Sequence, residues 1–168
     1  GNNPTTYRFE YGLTPDYGQM TQVAPSGTSL TGNADVQVSA LVQGLAPDTV
    51  YHYRVVATNG FGKTYGRDRS FRTEVAPPEN VSRPSVSGTR SVGTELTCDE
   101  GSWAGSPSFA FAWLRNGDVI PGAGDARYTA TSDDAGAALQ CQVTATNAGG
   151  SVTAVSAPVV IPVPAPPA

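Results

Sequence analysis

The chain has 168 residues and a mass of 17.3 kDa, low for its length because 19 residues are Gly. Ten basic residues against fourteen acidic ones leave a net charge of -4, and a single Lys, Lys63, offers no phosphate-binding surface, which argues against nucleic acid. No apolar run approaches the ~20 residues of a membrane helix, and one His, one Met and two Cys leave little material for a metal site or a nucleophile–base pair, so no cofactor is expected.

Along the chain the pattern is that of strands. Gly1-Asn2-Asn3-Pro4 reads as a turn, and behind it Tyr7, Phe9 and Tyr11 alternate with Arg8 and Glu10. After a turn at Pro25-Ser26-Gly27, Val36, Val38, Ala40 and Val42 alternate with Gln37, Ser39 and Gln43, with Leu41 breaking the polar side. Tyr51, Tyr53, Val55 and Ala57 then alternate with His52, Arg54, Val56 and Thr58, up to a turn at Asn59-Gly60. Further on, Phe109, Phe111 and Trp113 share one face, turns follow at Asn116-Gly117 and Pro121-Gly122, and Leu139, Cys141, Val143 and Ala145 share another. Period-2 alternation with β-branched and aromatic residues marks half-buried strands, and no window shows a helical period. Many short strands separated by turn signals predict an all-β sandwich architecture.

Two units are expected. Residues 1–74 carry balanced charge, whereas residues 75–168 hold the whole excess of -4. Between them Pro77-Pro78 stiffens a polar stretch, which predicts a linker over 75–81. The string Val55-Val56-Ala57-Thr58-Asn59 also returns, 88 positions later, as Val143-Thr144-Ala145-Thr146-Asn147. That spacing suits two related beads and is too long for a solenoid repeat. The expected division is therefore a first sandwich over 1–74, a linker over 75–81, a second sandwich over 82–163 and a Pro-rich tail over 164–168.

Leu45-Ala46-Pro47, Tyr51-His52-Tyr53-Arg54-Val55 and Ser70-Phe71-Arg72-Thr73 resemble the last strands of a fibronectin type III domain, and the likeness covers residues 5–73. It implies that Leu45 and Pro47 shape the corner between the fifth and sixth strands. It also implies that Tyr51 is the corner tyrosine, with its ring buried and its hydroxyl on backbone. The second half, over 82–163, resembles a bacterial immunoglobulin-like domain through Cys98, Trp113, Asp134-Ala135-Gly136 and Cys141. That resemblance implies a disulfide between Cys98 and Cys141, packed against Trp113, with Asp134 capping the turn before the last-but-one strand. Two reduced, buried thiols are the alternative. Leu139 stands where such domains usually place a corner tyrosine, so apolar packing is expected there instead. Both modules together resemble extracellular repeat proteins of bacteria, and a disulfide implies an extracellular, secreted or cell-surface setting.

The first unit lacks counterparts of the two opening strands of the fibronectin pattern, since strand Tyr7–Tyr11 follows the first turn directly. Its inner face, with Tyr7, Phe9, Tyr11, Tyr53 and Val55, is then expected to be open and able to accept strands. Two readings stay open: the strands lie upstream in the same polypeptide, or a neighbouring molecule supplies them. A candidate donor strand is the extended, apolar stretch containing Val155, Val159, Val160, Ile161 and Val163. Completion by a neighbour would build filaments.

Catalytic chemistry finds few residues to carry it. His52 is predicted to point outward beside Arg54, with no Ser or Cys in fixed relation to it. Asp133-Asp134 and Asp99-Glu100 are adjacent pairs, short of the several convergent oxygens that Ca²⁺ needs. Asn80-Val81-Ser82 fits a glycosylation sequon. Trp103, in Gly101-Ser102-Trp103-Ala104-Gly105, is a loop anchor by pattern, with stacking on a ligand as the alternative reading. The function expected from sequence is a non-catalytic extracellular structural module of a stalk, adhesin or filament, partnered by other copies of itself or adjacent modules. A glycan- or protein-binding accessory module, facing a glycan or a cell-surface protein, is the other reading.

Overall fold

A computed structural model of the chain describes residues 5–22 and 36–165, which fall into two compact units, Gly1–Val75 and Ala76–Ala168. The turns expected at residues 1–4 and 25–27 lie outside the described residues.

In the first unit, strands β1 (Thr6–Gly12), β2 (Gln19–Met20), β3 (Val50–Asn59), β4 (Gly62–Tyr65) and β5 (Arg69–Arg72) form one antiparallel sheet. Its order is β2-β1-β3-β4, and β5 pairs with the other half of β3. Register sets Tyr11 opposite Tyr53, Phe9 opposite Val55 and Phe71 opposite Tyr51, so the apolar set shares one face. Between β1 and β2 the chain turns back so closely that a Cβ on Gly12 would overlap the Tyr17 carbonyl, which only Gly permits.

Residues 36–43 depart from the expected strand. They are in no sheet, and Leu41 is 84% exposed. Alternation supplies a face but no hydrogen-bond partner, and among the described residues no strand runs beside this segment to pair with it.

The second unit contains β6 (Glu79–Ser82), β7 (Ser85–Gly88), β8 (Glu95–Asp99), β9 (Ser102–Ala104) and β10 (Ser108–Arg115). They are followed by β11 (Asp118–Val119), β12 (Arg127–Thr129), β13 (Ala138–Asn147), β14 (Gly150–Val155) and β15 (Val159–Val160). One sheet runs β11-β10-β13-β14, with β15 also on β13; another runs β12-β8-β7; β6 and β9 pair separately. Leu96 and Cys98 from one sheet meet Trp113, Leu139, Cys141 and Val143 from the other in a single buried core.

Two expectations are corrected here. The predicted linker is too long, because Glu79–Ser82 forms β6, held by β9. Val159 and Val160 pair with Leu139 and Ala138, inside the span expected for the second sandwich. The candidate donor strand belongs to its own unit. Val155 lies in β14, Val159 and Ile161 are core residues, and the Ile161 main chain is bonded to Ala137 and Gly136, while Val160 and Val163 are exposed. Pro158 interrupts the last strand without ending it, because the chain rejoins β13 one residue later. With the Val159 and Ile161 side chains in the core and the backbone from Val159 to Ile161 hydrogen-bonded within the unit, this stretch is not free to be donated.

Candidate functional site

The inner face of the first unit is a chain of rings. Tyr7 meets Phe9 edge-on at 6.2 Å, Phe9 lies 6.3 Å from Tyr53, Tyr53 meets Phe71 at 5.8 Å, and Phe71 stacks on Tyr51 at 6.0 Å. Sequence reasoning named Tyr7, Phe9, Tyr11, Tyr53 and Val55, and all five share this face. They are half-buried, more covered than expected, because residues 38 and 39 lie against them: the Tyr7 hydroxyl donates to the Ser39 carbonyl at 3.4 Å. Phe71 was missed, although its place opposite Tyr51 follows from the same alternation. At one side of the face Phe9, Val38, Tyr53 and Val55 line a pocket of about 330 Å³ with Arg67 and Arg69. Arg69 sits directly across from Tyr53 on this face.

Tyr51 closes the corner below. It is buried, and its hydroxyl accepts the Ala46 N–H at 3.1 Å. The Thr73 hydroxyl donates to the Ala46 carbonyl at 2.6 Å, so the segment carrying Leu45 and Pro47 is held from two sides. Leu45 is half-buried and Pro47 exposed.

The outer face of the same sheet carries a network that the sequence did not announce. Arg54 reaches Glu10 through Nε at 2.9 Å and Nη2 at 2.7 Å, and its guanidinium lies between the Tyr17 and Tyr65 rings. Arg54 hydrogen bonding, ahead of the opposing cost of burial, holds the Glu10 carboxyl below its usual range. The Tyr17 hydroxyl donates to Asp68 at 3.0 Å, and His52 Nδ1 meets the other Asp68 oxygen at 2.9 Å. His52 thus points outward, as expected, to a carboxylate that fixes its ring.

In the second unit Cys98 and Cys141 form a disulfide, with Cα atoms 6.0 Å apart, that ties the two sheets together. Trp113 is fully buried directly opposite Cys141, stacks on Tyr128 at 5.4 Å and donates its indole N–H to the Asp125 carbonyl. Two facing sheets, bridged by a disulfide with a Trp against it, define an immunoglobulin-like β-sandwich.

Asp134, with 0% exposure, lies in a 3₁₀ turn over Ser132–Asp134 and accepts four hydrogen bonds. Arg115 Nε donates to Oδ1 at 2.6 Å; the Thr131 N–H, the Thr131 hydroxyl and the Tyr128 hydroxyl donate to Oδ2. Burial pushes its pKa up, but these donors outweigh burial and hold it below the ordinary carboxylate value. Gly136 takes φ +79° just behind and donates its N–H to the Ile161 carbonyl, closing the turn. Arg115 and Tyr128 were not singled out from sequence. Leu139, in place of a corner tyrosine, is fully buried, and the phenol that pins the turn comes from β12 instead.

Trp103 packs against the core, donates its indole N–H to the Glu100 carbonyl at 2.8 Å and lies 6.1 Å from Phe109. It sits in β9 rather than in a free loop, so its anchoring role is the one its surroundings describe. No group of three or more metal-ligating side chains occurs among the described residues.

The chain matches no family model and no curated protein. Solved structures similar to it include the chicken CNTN1 FN1-FN3 domains, at 24% identity over 92% of this chain and 56% of that one, with a TM-score of 0.31. Sidekick-1 immunoglobulin domains 1–5 align at 18% identity over 92% of this chain and 32% of that one, TM-score 0.31. A chimeric titin Z1Z2-Z1Z2 tandem aligns at 14% identity over 95% and 84%, TM-score 0.29. The chain thus spans about half the length of the first of these. By their descriptions the first of these consists of FN domains and the second of immunoglobulin domains.

Proposed function

We propose that this chain is a non-catalytic, extracellular structural module: a segment or subunit of a bacterial surface stalk, adhesin or filament, joined to neighbouring modules or copies. The observation that carries this reading is the Cys98–Cys141 bridge at the centre of the second sandwich. Such a bridge forms and lasts in an oxidising compartment. It also limits how far that unit can lengthen under load, which suits a spacer.

The titratable groups support the same reading. Glu10, Asp48, Asp68 and Asp134 all have pKa values held low, each by a partner that braces a strand or a turn. Their charges serve the scaffold, whereas catalytic groups are poised toward a reacting atom. Trp103, the residue on which the accessory glycan-binding alternative rests, is half-buried against the core, with its indole N–H held by the Glu100 carbonyl.

The test is localisation with mechanics. Antibody against the second unit should label intact, unpermeabilised cells that make the protein. Single-molecule pulling should show two separate unfolding events. Unfolded chain extends ~3.5 Å per residue, so the disulfide-locked unit should give a step shortened by roughly 150 Å, recovered on reduction. Label found only after permeabilisation would overturn the extracellular assignment. A step unchanged by reductant would overturn the load-limiting role.

A further inference from the structure

The string Val55–Asn59 and its repeat Val143–Asn147 both end on an Asn that closes the hairpin behind it. Asn59 Oδ1 accepts the Phe61 N–H at 2.9 Å, and Asn147 Oδ1 accepts the Gly149 N–H at 2.8 Å. That bond is turn chemistry, in which an Asn side chain stands in for backbone. In the second unit the same side chain also acts as a donor. Asn147 Nδ2 donates to the Ala76 carbonyl and to the Gly105 carbonyl, each at 3.0 Å. Closing the hairpin requires Oδ1 alone, so it does not account for these two bonds.

The surroundings are shaped to the contact. Gly105 takes φ +88°, and a Cβ there would stand 3.0 Å from Asn147 Nδ2 and 3.4 Å from Pro78 Cα. A Cβ on Gly150 would come within 3.7 Å of the Pro77 side chain. The Pro pair thus lies against the end of the β13–β14 hairpin, with Pro78 buried. Ala76 is the first residue of the second unit, and β6, held by β9, begins directly after Pro78.

The disulfide gives this arrangement its consequence. With Cys98 joined to Cys141, residues 99–140 form a closed loop that tension along the chain cannot extend. Residues 76–97 and 142–165 remain as two arms that can be drawn off. Ala76 lies in the first arm, Gly105 in the closed loop and Asn147 in the second arm. One amide therefore ties all three together where tension passing through Val75 first reaches the unit.

We infer that Asn147 is a latch that keeps residues 76–82 from peeling off β9 before the disulfide-locked core takes up the load. The inference rests on the spacer reading and deepens it, because a latch matters only in a chain that carries tension.

The experiment places Asn147→Asp in the whole chain. The variant keeps an oxygen for the Gly149 N–H and replaces both donations by an acceptor facing two carbonyls. Hydrogen exchange followed by NMR should quicken about tenfold at Glu79–Ser82 and Ser102–Ala104, the net loss of two hydrogen bonds, while β8 and β13 keep their protection. In single-molecule pulling a low-force step of roughly 25 Å should precede the main step of the second unit, from residues 76–82 at ~3.5 Å each. Unchanged exchange at β6, no early step, or quickening spread evenly over β8 and β13 overturns the inference. Should the variant fail to fold, the wild type decides. Amides of Glu79–Ser82 protected as well as those of β13 support the latch, and exchange there as fast as in an unfolded chain overturns it. Surface labelling and a reduction-sensitive step that persist without the early step would remove the latch alone. Label seen only after permeabilisation would remove the extracellular spacer reading, whatever Asn147 does.

Discussion

The Tyr128 hydroxyl donates to Oδ2 of Asp134 at 2.8 Å and so ties β12 to the turn that leads into β13. In the first unit Tyr51 pins the equivalent corner from the other direction, by accepting the Ala46 N–H from within β3. Both units hold the chain that leads into their long strand with a phenol, Tyr51 from that strand itself and the half-buried Tyr128 from β12.

Asp134→Asn should destabilise the second unit by about 2–3 kcal/mol, since a buried carboxylate with four donors is replaced by an amide that cannot accept them all. The folded pKa of Asp134 lies below its unfolded value of about 3.9. Its stabilisation is therefore whole above about pH 4 and is lost as pH falls through the folded value. Urea denaturation at pH 7 and pH 3 checks both points: the wild type should lose stability on acidification, and the variant should lose less.

Tyr51→Phe should cost the first unit about 1 kcal/mol, the net value of one part-buried hydrogen bond to the backbone. Hydrogen exchange should quicken at Ala46 while the centre of β3 stays protected. An unchanged Ala46 amide would show that Thr73 alone holds the corner.

Replacing both cysteines, Cys98→Ala with Cys141→Ala, should lower the stability of the second unit by about 4 kcal/mol, from the loop of 43 residues that the bridge closes. Because the two units are separate compact bodies, the transition of the first unit should not move. Chemical denaturation followed through Trp fluorescence isolates the second unit, which holds both Trp103 and Trp113.

Arg54→Lys should not behave as a conservative change. It removes the two-pronged contact to Glu10 and the stacking between Tyr17 and Tyr65, for about 1–2 kcal/mol. Tyr17 holds φ +65°, a conformation that costs an L-residue about 1–2 kcal/mol. Loss of its arginine should therefore loosen the turn between β1 and β2 first, which NMR relaxation at residues 13–18 would report.

The strands that carried both alternation and aromatic or β-branched residues were legible from sequence alone: β1, β3, β10 and β13 lie where the alternation of Tyr7–Tyr11, Tyr51–Ala57, Phe109–Trp113 and Leu139–Ala145 places them. Short strands such as β6, β9, β12 and β15 were not, because two to four residues carry too little periodicity, and what fixes them is a neighbour. Val36–Val42 shows the converse: its pattern is that of a strand, but a strand also needs an edge to pair with. At the site, the inner aromatic face could be read, while Arg115 and Tyr128 could not, since what gives each its role is a contact with Asp134 that alternation along the chain does not announce.

By itself the sequence determined the chemistry of the faces: a mildly acidic, Gly- and Pro-rich chain with two related β patterns, one of them carrying two cysteines and a tryptophan in order. Those properties are local, set by side-chain alternation and turn residues. Tertiary structure alone decided how they are used. It set Arg115 and Tyr128 on Asp134, returned Val159 and Ile161 to their own core, and left residues 36–43 outside every sheet formed by the described residues. Hydrogen bonding between strands is non-local, so an apolar, extended segment becomes strand, donor or bare edge only once its neighbours are in place.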